Sequence, residues 1–313
     1  MRISYMPVSA KRKEKDKRKN KKKRKTKKFK QLNCSPIVKG QQIEQNTCLT
    51  PLVALKIREE YNKYHPASQI DSMEPSQILD ELRGKLPTCD SEECFITQIR
   101  DEKLQQQIKD ALFSPKSPAS WKKNKKQWLS NYDIFEVLLQ YEKTYPKFKF
   151  MDSNYIDFDY KLKGGSCVED ELCKFNLNEQ IKNGKTKFGF VFNLAKHGKP
   201  GIHWISLFVD VDNKIIFFLD SAGDPIPDEV MALVKRIKKQ AKFRFRFDQS
   251  YPMEHQYGSS ECGMYALYFI ITMLTGKTSG DIELDCNKKK INYFKKRRIP
   301  DKHVEELRQK YFN

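Results

Sequence analysis

The residues with the types that thiol chemistry needs lie late in the chain. Cys262 stands where a polar, glycine-containing turn beginning at Gln256 meets an apolar run that lasts to Leu274. The run predicts a helix that is apolar all round and therefore buried, and at about 14 residues it is too short to span a bilayer. A cysteine in the first turn of such a helix faces free N–H groups and the positive end of the dipole, which favour the thiolate, the form that attacks. Buried cysteine is also a common inert packing residue. A catalytic reading therefore requires a base, an orienting group and an oxyanion donor from elsewhere.

Three runs rich in Val, Ile and Phe supply them: Phe188 to Leu194, His203 to Val211 and Lys214 to Asp220. Asp212-Asn213 is a turn pair, so the last two runs predict a hairpin. His203 opens one strand and Asp220 closes its partner, which places them side by side at one sheet edge, as a base and its orienting carboxylate require. Gln256 precedes Cys262 by six residues, and its amide can join the Cys262 N–H as an oxyanion donor. His197 and His255 compete as base, but neither has an acidic partner at a comparable strand end. Each residue alone also fits a structural role: a satisfied polar strand residue, a turn cap and a surface amide.

The rest of the chain must hold these groups in place. A helix is predicted over about 227–240, then a half-buried strand at Phe243–Phe247, then the Cys262 helix, then a helix at Asp301–Tyr311 after a basic patch at Lys295–Arg298. Upstream, Trp128 to Tyr141 has helical spacing with Ser130 or Asn131 as cap. Trp128 and Asp133 there fit either a cleft lining or packing and first-turn charge. Residues 34–119 predict a helical accessory region with helices near Leu52–Tyr64, Ser76–Leu82 and Ile96–Leu112, closed by a Pro/Ser linker at Ser114–Ser120.

The net charge of +20 is concentrated in an arm, since residues 11–30 hold fifteen Lys or Arg against two Asp or Glu. Residues 1–33 therefore predict a disordered basic arm, suited to nucleic-acid contact, nuclear import or solubility. No apolar run reaches 18 residues, and no signal peptide opens the chain. The eight cysteines read as reduced thiols of a cytosolic protein. Neither Cys89 with Cys94 nor Cys167 with Cys173 has zinc-ligand spacing.

The order His203-Trp204, Asp220, then Gln256 five residues clear of Cys262-Gly263, resembles the cysteine proteases typified by adenovirus protease and the SUMO-specific Ulp proteases. It resembles most the thiol proteases of large cytoplasmic DNA viruses, the group that includes the African swine fever virus polyprotein protease. Asn193-Leu194 with Gly201-Ile-His-Trp204 is similar to the family's histidine strand, and Trp128-Leu-Ser-Asn-Tyr-Asp-Ile134 to the segment that opens its core. Papain-like enzymes place Cys before His and do not match. Over residues 120–313 the resemblance implies an α+β fold, a central mixed sheet packed on the buried Cys helix. It implies peptide-bond hydrolysis by Cys262 and His203, with Asp220 orienting and Gln256 as oxyanion donor. It also implies a narrow cleft, lined partly by Trp204, that accepts Gly-Gly; Trp128, Asp133 and Asn193 are further candidate substrate-binding residues, and no cofactor or metal is expected. The expected substrates are viral structural polyproteins, with action in the virion and host cytoplasm, non-specific DNA as a further partner through the arm, and no membrane. Removal of a ubiquitin-like modifier is the alternative within the enzyme class, and a non-enzymatic genome-binding core protein is the alternative outside it.

Overall fold

The structure is a computed structural model and describes residues 29–280 and 282–313. Most of the basic arm thus lies outside the described residues. Its last five residues belong to the fold: Phe29 stacks on Phe95 with ring centroids 5.8 Å apart, and the Lys30 N–H donates to Asp90 O at 2.6 Å.

The accessory region forms α1 (Pro51–Tyr64), α2 (Pro75–Lys85), α3 (Glu92–Ile96) and α4 (Glu102–Leu112). The single helix expected around Ile96–Leu112 is two, because Asp101 caps a new one, its side chain accepting from the Leu104 N–H at 3.0 Å. These helices close over an apolar cluster of their own, running from Val38 to Phe113. The structure corrects the reduced-thiol reading: Cys34–Cys48, Cys89–Cys94 and Cys167–Cys173 are disulfides, leaving Cys262 and Cys286 free. Folding brings each pair's Cα atoms to 5.2, 5.4 and 6.3 Å, within the range a disulfide needs.

The remainder begins with α5 (Asn131–Thr144) and β1 (Phe148–Tyr155), followed by the short α6 (Asp170–Cys173) and α7 (Leu177–Lys182). Then come β2 (Lys187–Asn193), β3 (Trp204–Asp210), β4 (Ile215–Leu219), α8 (Asp228–Gln240), β5 (Arg246–Gln249), α9 (Cys262–Thr275), α10 (Asn287–Lys296) and α11 (Asp301–Tyr311). The five strands form one mixed sheet in sequence order, the outer pairs parallel and β2–β3–β4 antiparallel. Strand β1 was not legible as one, since a register irregularity between Phe150 and Ser153 breaks its alternation. The strand expected at Phe243–Phe247 starts later, where Arg246 pairs with Ile215. The patch at Lys295–Arg298 straddles the end of α10, whose Ile291 and Phe294 are buried.

Both faces of the sheet are covered, which is why its central strands read as nearly continuous apolar runs. Phe208, Phe217 and Leu219 face α9, while Leu207, Ile216 and Phe218 face α8. Helix α9 comes so close to the sheet that a Cβ on Gly189 would stand 3.0 Å from Ile270 Cγ2. Among the described residues no helix is long and apolar enough to cross a membrane.

Candidate active site

Antiparallel pairing of Ser206 with Leu219 puts the start of β3 and the end of β4 at one edge. His203 immediately precedes β3, Asp220 immediately follows β4, and the His203 Nε2 lies 2.7 Å from Asp220 Oδ1. Asp220 is 1% exposed, and the Ala222 N–H donates to the same oxygen at 2.8 Å, so the carboxylate is aimed by its own turn. With Nε2 committed to Asp220, Nδ1 is the ring nitrogen left for the Cys262 sulfur, which acts on the ring beside Asp220. Burial disfavours the imidazolium, but the hydrogen bonds to Asp220 and Cys262 outweigh it and push the His203 pKa up to about 10.

Cys262 is the first residue of α9, so its N–H has no acceptor within the helix. Gly263 follows because nothing larger fits, a Cβ there standing 2.9 Å from Leu129 Cβ. Gln256 is held from both ends: its Oε1 accepts from Ser221 Oγ at 2.8 Å and its Nε2 donates to Gly258 O at 2.9 Å. Its backbone N–H donates to Ser221 O at 2.8 Å. One hydrogen of the amide nitrogen remains for a developing oxyanion. Ser221, directly after the orienting carboxylate, thereby aims the oxyanion donor. Sequence reasoning passed over it, because a serine in a turn carries no signal of its partner 35 residues away.

The competing histidines are accounted for. His255 is fully buried; its Nδ1 accepts from the Ile299 N–H at 3.1 Å and its Nε2 faces Phe294 O at 2.9 Å, which fixes a neutral tautomer. Burial holds its pKa down at about 4. His197 does have an acidic partner, contrary to expectation: Asp157 Oδ2 lies 2.7 Å from its Nδ1. His197 lies in the loop between β2 and β3 and Asp157 in the turn after β1, whereas it is the His203 ring that Cys262 acts on.

A cavity of about 340 Å³ starts at Trp204, next to His203, and is lined by Trp128, Leu129, Asn193 and Gly201. Trp204 Nε1 donates to Leu129 O at 3.0 Å, which locks the indole as a wall. Asn193 Oδ1 accepts from the Ala195 and Ile202 N–H groups at 3.0 and 3.1 Å, so it shapes the loop that delivers His203. Asp133 does not line the cavity. Its carboxylate closes the capping box of α5, accepting from the Ser130 N–H at 2.7 Å. Among the described residues no group of three or more His, Cys, Asp or Glu is gathered to hold a metal ion.

A buried thiol on a helix N-terminus, a histidine between it and a buried carboxylate, and an aimed amide make a constellation for acyl transfer. Residues 192–312 match the Ulp1 protease family, C-terminal catalytic domain. This stretch is a Ulp1-type cysteine protease domain. The chain is 25% identical over 262 residues to an Acanthamoeba polyphaga mimivirus protein named as a thiol protease, covering 76% of this chain and 84% of that one. It is 28% identical over 198 residues to a cysteine protease of African swine fever virus, covering 58% and 72%. The crystal structure of an African swine fever virus protease aligns with a TM-score of 0.60 at 20% identity, over 91% of this protease and 97% of that chain, a likeness of fold. The family match includes Asn193, His203, Trp204, Asp220, Gln256 and Cys262, whereas Trp128 and Asp133 precede it.

Proposed function

We propose that this protease is an endopeptidase that matures viral structural polyproteins by cutting after small residues of the Gly-Gly type. The observation that carries the reading is His203 bonded through Nε2 to the buried Asp220 while Cys262 acts on the same ring. In this reading His203 takes the thiol proton and the Cys262 sulfur attacks the scissile carbonyl. The Cys262 N–H and the Gln256 amide bind the oxyanion. The imidazolium then protonates the leaving amine, and water, deprotonated by the same ring, releases the acyl group. The narrow cavity between Trp128 and Trp204 supports a preference for residues without bulk before the scissile bond. We also place its action at the assembly site in the host cytoplasm and in the virion, with the basic arm holding it near DNA.

The test incubates the protein with the structural precursors of its own virus and sequences the new N-termini. New N-termini following Gly-Gly, absent with Cys262→Ala, are expected. Cleavage confined to ubiquitin-like fusions would replace this reading with modifier removal.

A further inference from the structure

The loop that carries Gln256 is anchored by more than Ser221. Asp301, the first residue of α11, turns its carboxylate onto this loop. Oδ2 accepts from the Tyr257 N–H at 3.1 Å and the Gly258 N–H at 3.0 Å. Oδ1 accepts from the Tyr265 hydroxyl at 2.9 Å. Tyr265 lies three residues past Cys262, on the nucleophile's own helix, and its hydroxyl also reaches Ile299 O at 2.7 Å and His255 O at 3.2 Å. Burial, then the hydrogen bond to Asp301, push the Tyr265 pKa upward, so the hydroxyl stays a donor. Arg298 completes the cluster, its guanidinium 3.5 Å from the Tyr257 ring centroid and 3.6 Å from Asp301 Oδ2.

We infer that Asp301 is a positioning residue for the oxyanion site, joining the Gln256 loop to α9 so that the Gln256 amide and the Cys262 N–H converge on one point. This rests on the protease reading above. The geometry is specific: Gly258, one of the two amides Asp301 holds, is also the residue whose carbonyl receives the Gln256 Nε2 hydrogen bond. Two adjacent N–H groups on one carboxylate oxygen are charge-assisted bonds, stronger than neutral ones. Releasing them frees the carbonyl that aims the amide.

Asp301→Asn keeps the shape of the side chain, removes the charge and leaves a single acceptor oxygen. Displacing a donor by about 1 Å can cost up to 10²-fold, so kcat on a Gly-Gly peptide should fall by about 10- to 100-fold, with KM little changed because the Trp128–Trp204 cavity is untouched. Alkylation of Cys262 by iodoacetamide develops no oxyanion, and its rate should stay at the wild-type value. In a Gln256→Ala background, Asp301→Asn should add no further loss, since both act on the same hydrogen bond. Should Asp301→Asn fail to fold, Tyr265→Phe, which removes one donor and no charge, carries the same measurements with a smaller fall in kcat. Wild-type kcat, a parallel loss of alkylation, or losses that multiply with Gln256→Ala would each overturn the inference. Cleavage surviving in Cys262→Ala would instead sink the protease reading, whatever Asp301 does.

Discussion

At the residue scale, His203 has the most pronounced electrostatic signature in the site. Its pKa stands near 10 in the folded protein against an ordinary 6.5, so the imidazolium is stabilised by folding. That contribution is complete below pH 6.5 and is lost as pH rises through about 10. The plot of kcat/KM against pH should therefore keep its acidic-form requirement until an alkaline limb near 10, and Asp220→Asn should draw that limb down toward 6.5. A limb at the same pH in both proteins would break the assignment. His203→Ala should remove nearly all activity and Asp220→Asn less, because asparagine can still hold the ring; Gln256→Ala should cost roughly 10²–10³ in kcat. The placement of His203 beside Asp220 was legible because a tight hairpin fixes which strand ends meet. The partners of Gln256 were not, since Ser221 and Gly258 act through bonds that no residue type announces. Asp133 misled for a related reason: an acid in a helix's first turn reads equally as ligand contact or cap, and here it is the cap.

At the scale of elements, α9 has two separable jobs. Its body is core, with Leu267, Phe269 and Ile270 fully buried between sheet, α5 and α11. Its first turn is the site, wedged against Leu129, which in turn accepts the Trp204 indole hydrogen bond. Phe269→Ala should cost about 3–5 kcal/mol of stability while leaving kcat/KM near wild type in the folded fraction. Gly263→Ala should do the reverse. Overpacking of this kind costs about 1–3 kcal/mol, but the new methyl must push apart Leu129 and the residue after Cys262, so kcat/KM should fall at least about tenfold. Urea denaturation beside peptide kinetics separates the two, and wild-type kinetics in Gly263→Ala would show that the close contact does not position the nucleophile. The helix was readable from its unbroken apolar run. Strand β1 and helix α10 were not: one is interrupted at Asp152, whose φ is 57°, and the other hides Ile291 and Phe294 among lysines.

At the scale of the molecule, the accessory region and the catalytic part are joined where Asn33 meets Asn313. The Asn33 N–H donates to Asn313 Oδ1 at 2.6 Å, and Asn33 Nδ2 donates to Phe312 O at 2.7 Å. The Asn313 side chain and backbone also bond Ser114 and Pro115. None of this was legible, because asparagines 280 residues apart show no pairing in sequence. It changes where the basic arm should be cut. Removing residues 1–28 leaves the Phe29–Phe95 stack and the Asn33 bonds in place, whereas removing residues through 33 would take both. The shorter deletion is therefore the proper test of DNA tethering. Lys and Arg that neutralise phosphates release counterions, so binding weakens steeply with salt. Stacking should add little, since Phe29, the aromatic at the end of the basic run, is already engaged with Phe95. The basic patch past Phe294 is a weaker rival, because Lys295 is paired with Asp248 and Arg298 is stacked on Tyr257. Gel shifts with one duplex at two salt concentrations should show tight, strongly salt-dependent binding by the full chain and weak binding with a flat salt slope after deletion of residues 1–28. Cleavage of a short Gly-Gly peptide should be unchanged by that deletion. Equal DNA affinity of the two proteins would end the tethering proposal.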